Sequence, residues 1–163
     1  MGQINIREVV LLGLTTVTTS GSGPDINVIQ AWQAATVTLN VQTVSGTTPT
    51  MNVFIQRKLG QAAATDTPPN PPTGTAIYDD LLAFTTITTS TTIRISNLCC
   101  SAFANANSSL MTAADWGNTV QALPVSNQRI GPLSGIWKVG YVISGTLPSF
   151  AFTVTTQLVP FST

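Results

Sequence analysis

Along most of this chain apolar and polar residues alternate with a period of two, the pattern of strands that bury one face and wet the other. Val37, Leu39 and Val41 alternate with Thr36, Thr38, Asn40 and Gln42, and Met51, Val53 and Ile55 alternate with Asn52, Phe54 and Gln56. Phe54 interrupts its polar face and needs cover. Ile93 and Ile95 alternate with Thr92, Arg94 and Ser96, which makes the isoleucines the expected core side of that strand. Near the C-terminus Trp137, Val139, Tyr141 and Ile143 share one face, and Phe150, Phe152, Val154 and Leu158 share another. These are expected to be half-buried antiparallel strands.

The breaks between the strands are built from glycine and proline. Val44-Ser45-Gly46-Thr47-Thr48-Pro49-Thr50 and Ile143-Ser144-Gly145-Thr146-Leu147-Pro148-Ser149 are nearly the same segment. Glycine permits a positive φ and proline ends ladder pairing, so each reads as a β-hairpin connection, the two being equivalent hairpins on two sheets. Ser20-Gly21-Ser22-Gly23-Pro24 separates an N-terminal strand from the next. The stretch 60–75 carries Pro68, Pro69, Pro71 and Pro72 and is expected to be a long exposed loop or arm outside the sheets. Residues 97–119 lose alternation, with one short helix expected around Ser109 to Asp115. The pattern predicts an all-β fold, an antiparallel β-sandwich of jelly-roll-like form with a long Pro-rich loop. An up-and-down barrel is the alternative. Residues 1–163 are read as one sandwich domain with an N-terminal extension over about 1–8.

Composition changes this picture in one respect. Only 7% of the 163 residues are charged, against roughly 25% in a typical soluble domain, and Thr, Ser, Asn and Gln stand where Lys and Glu usually do. Mean hydropathy of +0.29 with zero net charge is the composition of a packed chain, not a disordered one. A chain with six basic residues, of which only Arg57 and Lys58 adjoin, has no basic patch, so nucleic acid is not an expected partner. The run Val9 to Leu14 is too short to span a bilayer, and neither a membrane nor a signal peptide is expected. Met1-Gly2 opens like a myristoylation site, but Ile6 stands where that motif wants Ser or Thr. With little self-repulsion, the surface permits assembly.

Candidate chemistry is sparse. The chain has no histidine, which excludes His-based hydrolytic triads and leaves the thiols Cys99 and Cys100 without a base. A bridge between adjacent cysteines is strained, so they read as buried reduced thiols. Asp79 and Asp80 form a carboxylate pair, yet on a strand their side chains point to opposite faces; they read as a solvated turn after Tyr78. Asp25, Asp66 and Asp115 fall in expected loops and would make a calcium site only if folding gathered more oxygen ligands. Phosphate loops, dinucleotide fingerprints and metal-ligand spacings are missing, so the chain is expected to be no enzyme and to need no cofactor. Trp32, Trp116 and Trp137 are candidates for a sugar-stacking platform, although Trp137 lies on a core face.

The segment Val44 to Thr50, a strand ending in Ile55-Gln56, the run Tyr78-Asp79-Asp80-Leu81-Leu82-Ala83-Phe84-Thr85 and the run Ser144 to Val154 together resemble small β-proteins encoded among the head genes of tailed phages, including capsid decoration or cement proteins. The resemblance spans roughly residues 36–59, 78–88 and 136–159. It implies a jelly-roll-like domain, often a trimer, that sits on the capsid surface of the virion after synthesis in the host cytoplasm. There it contacts the major capsid protein and reinforces the lattice. A tail, neck or baseplate component has the same composition, and a carbohydrate- or receptor-binding sandwich is a third class. The Pro-rich insertion between Lys58 and Tyr78 departs from the pattern. Interface arms are expected at Gln3, Ile4, Asn5 and Ile6 and at Pro68, Pro69, Pro71 and Pro72, which lie outside the alternating core. Deleting Thr67 to Thr73 is expected to leave the circular-dichroism melt intact and weaken co-sedimentation with capsids. Unfolding of the deletion would make the loop structural instead.

Overall fold

Strand pairing accounts for nearly all of the computed structural model, which describes residues 6–62, 75–90, 92–99, 108–110, 128–130 and 133–161. The elements are β1 (Arg7–Val17), β2 (Gly21–Ser22), β3 (Ile26–Ala62), β4 (Thr75–Ala83), β5 (Thr92–Cys99), β6 (Ser108–Leu110), β7 (Gln128–Ile130) and β8 (Leu133–Pro160). They hydrogen-bond in the order β1-β8-β3-β4-β7-β6, with β2 also on β8 and β5 also on β3. The fold is all-β, as the alternation predicts.

β3 and β8 are too long to be single straight strands. They run side by side in opposite senses, Ala35 facing Leu158, Val44 facing Phe150, Met51 facing Ile143 and Arg57 facing Trp137. Midway, the ribbon they form folds over. Tyr141 and Phe152 of β8, which would be about 36 Å apart on a straight strand, meet edge to face with ring centroids 5.6 Å apart.

The fold makes two layers. In the first, β1 lies on residues 150–158 of β8, which lie on residues 34–45 of β3, with β5 beyond. In the second, β2 and residues 26–28 lie on residues 135–141 of β8, which lie on residues 50–57 of β3, with β4 beyond. Inward side chains of both layers join one core cluster, among them Leu11, Val37, Leu39 and Phe152 from the first and Val53, Ile55, Leu81 and Trp137 from the second. In β1 a register irregularity between Val10 and Leu12 allows the consecutive residues Leu11 and Leu12 both to turn inward.

The fold line falls on the two repeated segments. They are not hairpin connections, because each strand continues through its segment with the same neighbour. Ser45 faces Ser149, Thr47 faces Thr146 and Thr50 faces Ser144, so the two segments are partners of one another. Gly46 (φ 114°) packs against the Leu147-Pro148 backbone, and Gly145 (φ 117°) packs in the same way against Thr48-Pro49. Each glycine thus meets two residues of the other strand, a reciprocal pair of β-bulges. Thr48 and Leu147 both hold φ 48°, a costly conformation for non-glycine residues. Thr50 Oγ1 and Ser144 Oγ share a hydrogen bond of 2.5 Å beside the bulges.

Other expectations need correction. Ile93 and Ile95 are exposed, because β5 pairs Arg94 with Leu39 and Ser96 with Val37, which leaves the isoleucines on the outer side of the layer. The sheet extends further into the Pro-rich stretch than expected, since Gly60, Gln61 and Ala62 pair with Ile77, Ala76 and Thr75. Strand β1 begins at Arg7, inside the expected N-terminal extension. Ser109 and Leu110 belong to β6 rather than to a helix, and the rest of that expected helix lies outside the described residues.

A methyl group on Gly46 would sit 2.7 Å from the Leu147 carbonyl oxygen, and one on Gly145 2.8 Å from that of Thr48. Both contacts are with backbone, and both φ values disfavour a side chain. Gly46→Ala and Gly145→Ala are therefore each expected to destabilise by about 2–3 kcal/mol. Gly13→Ala, with nothing within 4 Å of the added carbon, serves as the control and should stay within about 1 kcal/mol of wild type. Urea denaturation of the three variants checks this.

Candidate interaction surfaces

The two layers present outer faces of opposite character. On the second layer Gln56 and Lys58 of β3 point outward opposite Asp80 and Tyr78 of β4, while Arg57 and Asp79 between them point inward. Asp79 and Asp80 therefore form no solvated turn. They lie in β4, exposed by 0% and 3%, and face opposite sides of the sheet. Asp79 is 3.6 Å from the Arg57 guanidinium in a buried pair, and Gln56 Nε2 donates to Asp80 Oδ1 at 2.7 Å. A buried pair of this kind contributes little net stability when intact but is costly to break on one side.

Outside, Asp25 gathers the remaining charges. The Tyr78 hydroxyl donates to Asp25 Oδ1 at 2.8 Å and Oδ2 at 3.0 Å, and Lys58 Nζ lies 3.6 Å from Oδ2. Lys138 Nζ stands 3.4 Å from the centre of the Tyr78 ring, a cation–π contact. Six of the twelve charged residues, Asp25, Arg57, Lys58, Asp79, Asp80 and Lys138, belong to this layer and its edge. The Tyr78 phenol is pushed up to about 12, first by desolvation, then by its hydrogen bond to Asp25 and by the Asp25 charge. Lys138 is lowered, first by desolvation and further by Lys58, with Asp25 opposing. This cluster latches the segment around Asp25 onto β3 and β4. The described residues contain no group of three or more potential metal ligands; Asp66 and Asp115 lie outside them.

The first layer's outer face is almost free of charge. Reading across the strands from β1 to β5, one row runs Glu8, Gln157, Thr36, Asn97 and the next Val10, Thr155, Thr38, Ile95. A third contains Thr153, Asn40 and Ile93, with Leu14 at the same level in the irregular stretch of β1, and a fourth holds Thr16, Ala151 and Thr43. Glu8 is the only charged residue in these rows. Thr36 Oγ1 donates to Asn97 Oδ1 at 2.8 Å. Large apolar side chains stand exposed at the two edges, Val10 (54%) and Leu14 (61%) on β1, Ile93 (61%) and Ile95 (65%) on β5.

A groove of about 510 Å³ opens between the start of β1, β3 and the end of β8, lined by Ile6, Arg7, Glu8, Gln30, Trp32 and Pro160. Ile6 is the one expected interface residue among those described, and it is exposed. Gln3, Ile4, Asn5, Pro68, Pro69, Pro71 and Pro72 lie outside the described residues, as do Trp116 and Cys100. Trp32 and Trp137 are 4% and 0% exposed, so neither offers an open face for stacking on a sugar. Their indole nitrogens and Thr156 Oγ1 are buried without hydrogen-bond partners. Alternation alone does not reveal the threonine-rich outer face of the first layer, because Ile93 and Ile95 resemble the inner set of β5 until its register with β3 is known.

Comparison with known proteins returned no matching family model, no matching curated protein and no matching solved structure.

The elevated Tyr78 value has a signed consequence. The fold favours the protonated phenol, so that stabilisation is complete below the ordinary value of 10.0 and is lost as pH rises through about 12. Lys138, lowered in the fold, acts in the opposite sense over the alkaline range and offsets part of the loss. Tyr78→Phe is expected to flatten the decline of stability with pH in this window, read by urea denaturation at a series of pH values. Identical slopes in wild type and variant would refute the coupling.

Proposed function

We propose that this chain is a non-enzymatic structural protein of a tailed-phage virion, which decorates the capsid by self-association and by contact with the major capsid protein. The observation that carries the reading is the outer face of the first layer: a threonine-rich, nearly charge-free surface bordered by exposed Val10, Leu14, Ile93 and Ile95. Docking such a face costs little desolvation of charge, while its hydroxyls and amides provide hydrogen bonds across a partner.

The strand order supports the same reading. In a jelly roll one continuous ribbon is folded so that its strands alternate between two four-stranded sheets. Here β1 passes to β2, the first part of β3 to its second part, β4 to β5, and the first part of β8 to its second part. Each step crosses between layers. The order β1, β8, β3, β5 in one layer and β2, β8, β3, β4 in the other supports a jelly-roll-like reading. Many copies on a symmetric shell would convert modest contacts into firm attachment.

Attachment through apolar and hydrogen-bonded contacts should survive high salt. At 1 M salt the screening length is about 3 Å, which disables contacts between exposed charges and leaves apolar burial intact. The test titrates the protein onto undecorated phage capsids at low and high sodium chloride and compares the bound fraction. Equal binding is expected. Loss of most binding by about 0.5 M salt would overturn a non-ionic attachment and point to the charged layer around Asp25, Lys58 and Lys138.

A further inference from the structure

We infer that the outer face of the first layer is a two-fold interface with a second copy of this chain. The inference deepens the self-association part of the proposed function and does not depend on attachment to a shell.

The argument rests on the left-to-right composition of the rows. The first three have a polar middle on β8 and β3, and the two central rows have apolar ends, on β1 at one side and on β5 at the other. A two-fold axis in the plane of the face, running along the strands between β8 and β3, exchanges the two edges. It sets Val10 against the partner's Ile95 and Leu14 against the partner's Ile93, while Thr155 meets the partner's Thr38. The one charged position falls at the rim and finds a donor. Glu8 comes opposite the partner's Asn97, whose carbonyl oxygen accepts from Thr36 and whose N–H₂ group can donate to a carboxylate. The face is therefore self-complementary in both apolar and polar positions, the requirement of an isologous interface. Aligned packing of sheets brings such faces about 10 Å apart with interdigitating side chains.

Its size fixes the strength expected. Four strands about 4.8 Å apart and a length of about nine residues give roughly 500 Å² per copy, or about 1,000 Å² in total. That lies just below the range of stable specific interfaces and predicts a concentration-dependent pair instead of an obligate one. Any other partner would need an equally uncharged face with apolar groups at the same two edges, which a second copy supplies without further assumption.

The test is sedimentation of the full chain across micromolar to millimolar concentrations, with outward-facing variants whose folding is checked by thermal melts. Wild type is expected to form dimers. Thr38→Lys, which places a charge at the centre of the face, should weaken the association at least about tenfold. Thr155→Lys serves if that variant fails to fold. Val10→Glu and Ile95→Lys should each weaken self-association, and mixing the two proteins should restore it, because the axis brings position 10 against position 95 of the partner. A wild type that stays monomeric or forms trimers overturns the inference. So does self-association untouched by both Thr38→Lys and Thr155→Lys but lost in Ile95→Lys, which would indicate edge-to-edge pairing of β1 with β5. Capsid binding by a chain that stays monomeric in solution would sink this inference and leave the decoration reading standing. Dimers that ignore capsids would do the reverse.

Discussion

The reciprocal contact of Gly46 with Leu147-Pro148 and of Gly145 with Thr48-Pro49 is the constraint around which this molecule is organised. A two-stranded ribbon can fold over only if both strands bend at the same level, since a bend in one alone would tear the ladder between them. Each strand provides a glycine that lets the other's backbone approach and an X-Pro step that takes up the extra residue. Without the paired bulges β3 and β8 would run on as a flat ribbon, and Phe152 and Tyr141 could not meet. The near-identity of the two segments follows from their relation: an approximate local two-fold axis imposes the same backbone on both.

The course of the strands was legible because burial enforces alternation. Val37, Leu39, Val41, Met51, Val53, Ile55, Phe150, Phe152 and Val154 all lie in the core where the period of two places them. What alternation cannot report is which of two half-apolar faces is the inner one. Ile93 and Ile95 look like core beside Arg94 and Ser96, and only the register with Leu39 and Val37 turns them outward. The segments Ser45 to Pro49 and Ser144 to Pro148 carry the local chemistry of hairpin turns, and what distinguishes them is a partner far away in sequence. Asp79 is a similar case: a carboxylate beside another reads as solvated until Arg57 is found across the ladder. The uncharged outer face of the first layer was legible as composition, an excess of Thr over charge, but not as a place.

Scarcity of charge and its distribution belong to one design. Exposed ion pairs stabilise little, and their removal from the first layer costs the fold almost nothing. In the second layer the charges are used internally, Arg57 with Asp79 and Asp25 with Lys58 and Tyr78, where they fix the edge segment against β3 and β4. The outer side of one layer thus carries polar contacts that pin its edge, and the outer side of the other carries mainly hydroxyls and amides.

The central position of β8 bears on the order of events during synthesis. It lies between β1 and β3 in one layer and between β2 and β3 in the other, so neither sheet is continuous until residues 133–160 have left the ribosome. Its partners in β3 are made on the order of a hundred residues earlier, a separation that makes closure slow. Throughout that interval Val37, Leu39, Met51 and Val53 have no neighbouring strand on the β8 side. A chain built this way waits for its last ribbon with apolar strands still unpaired, the state in which a β-protein is most prone to aggregate.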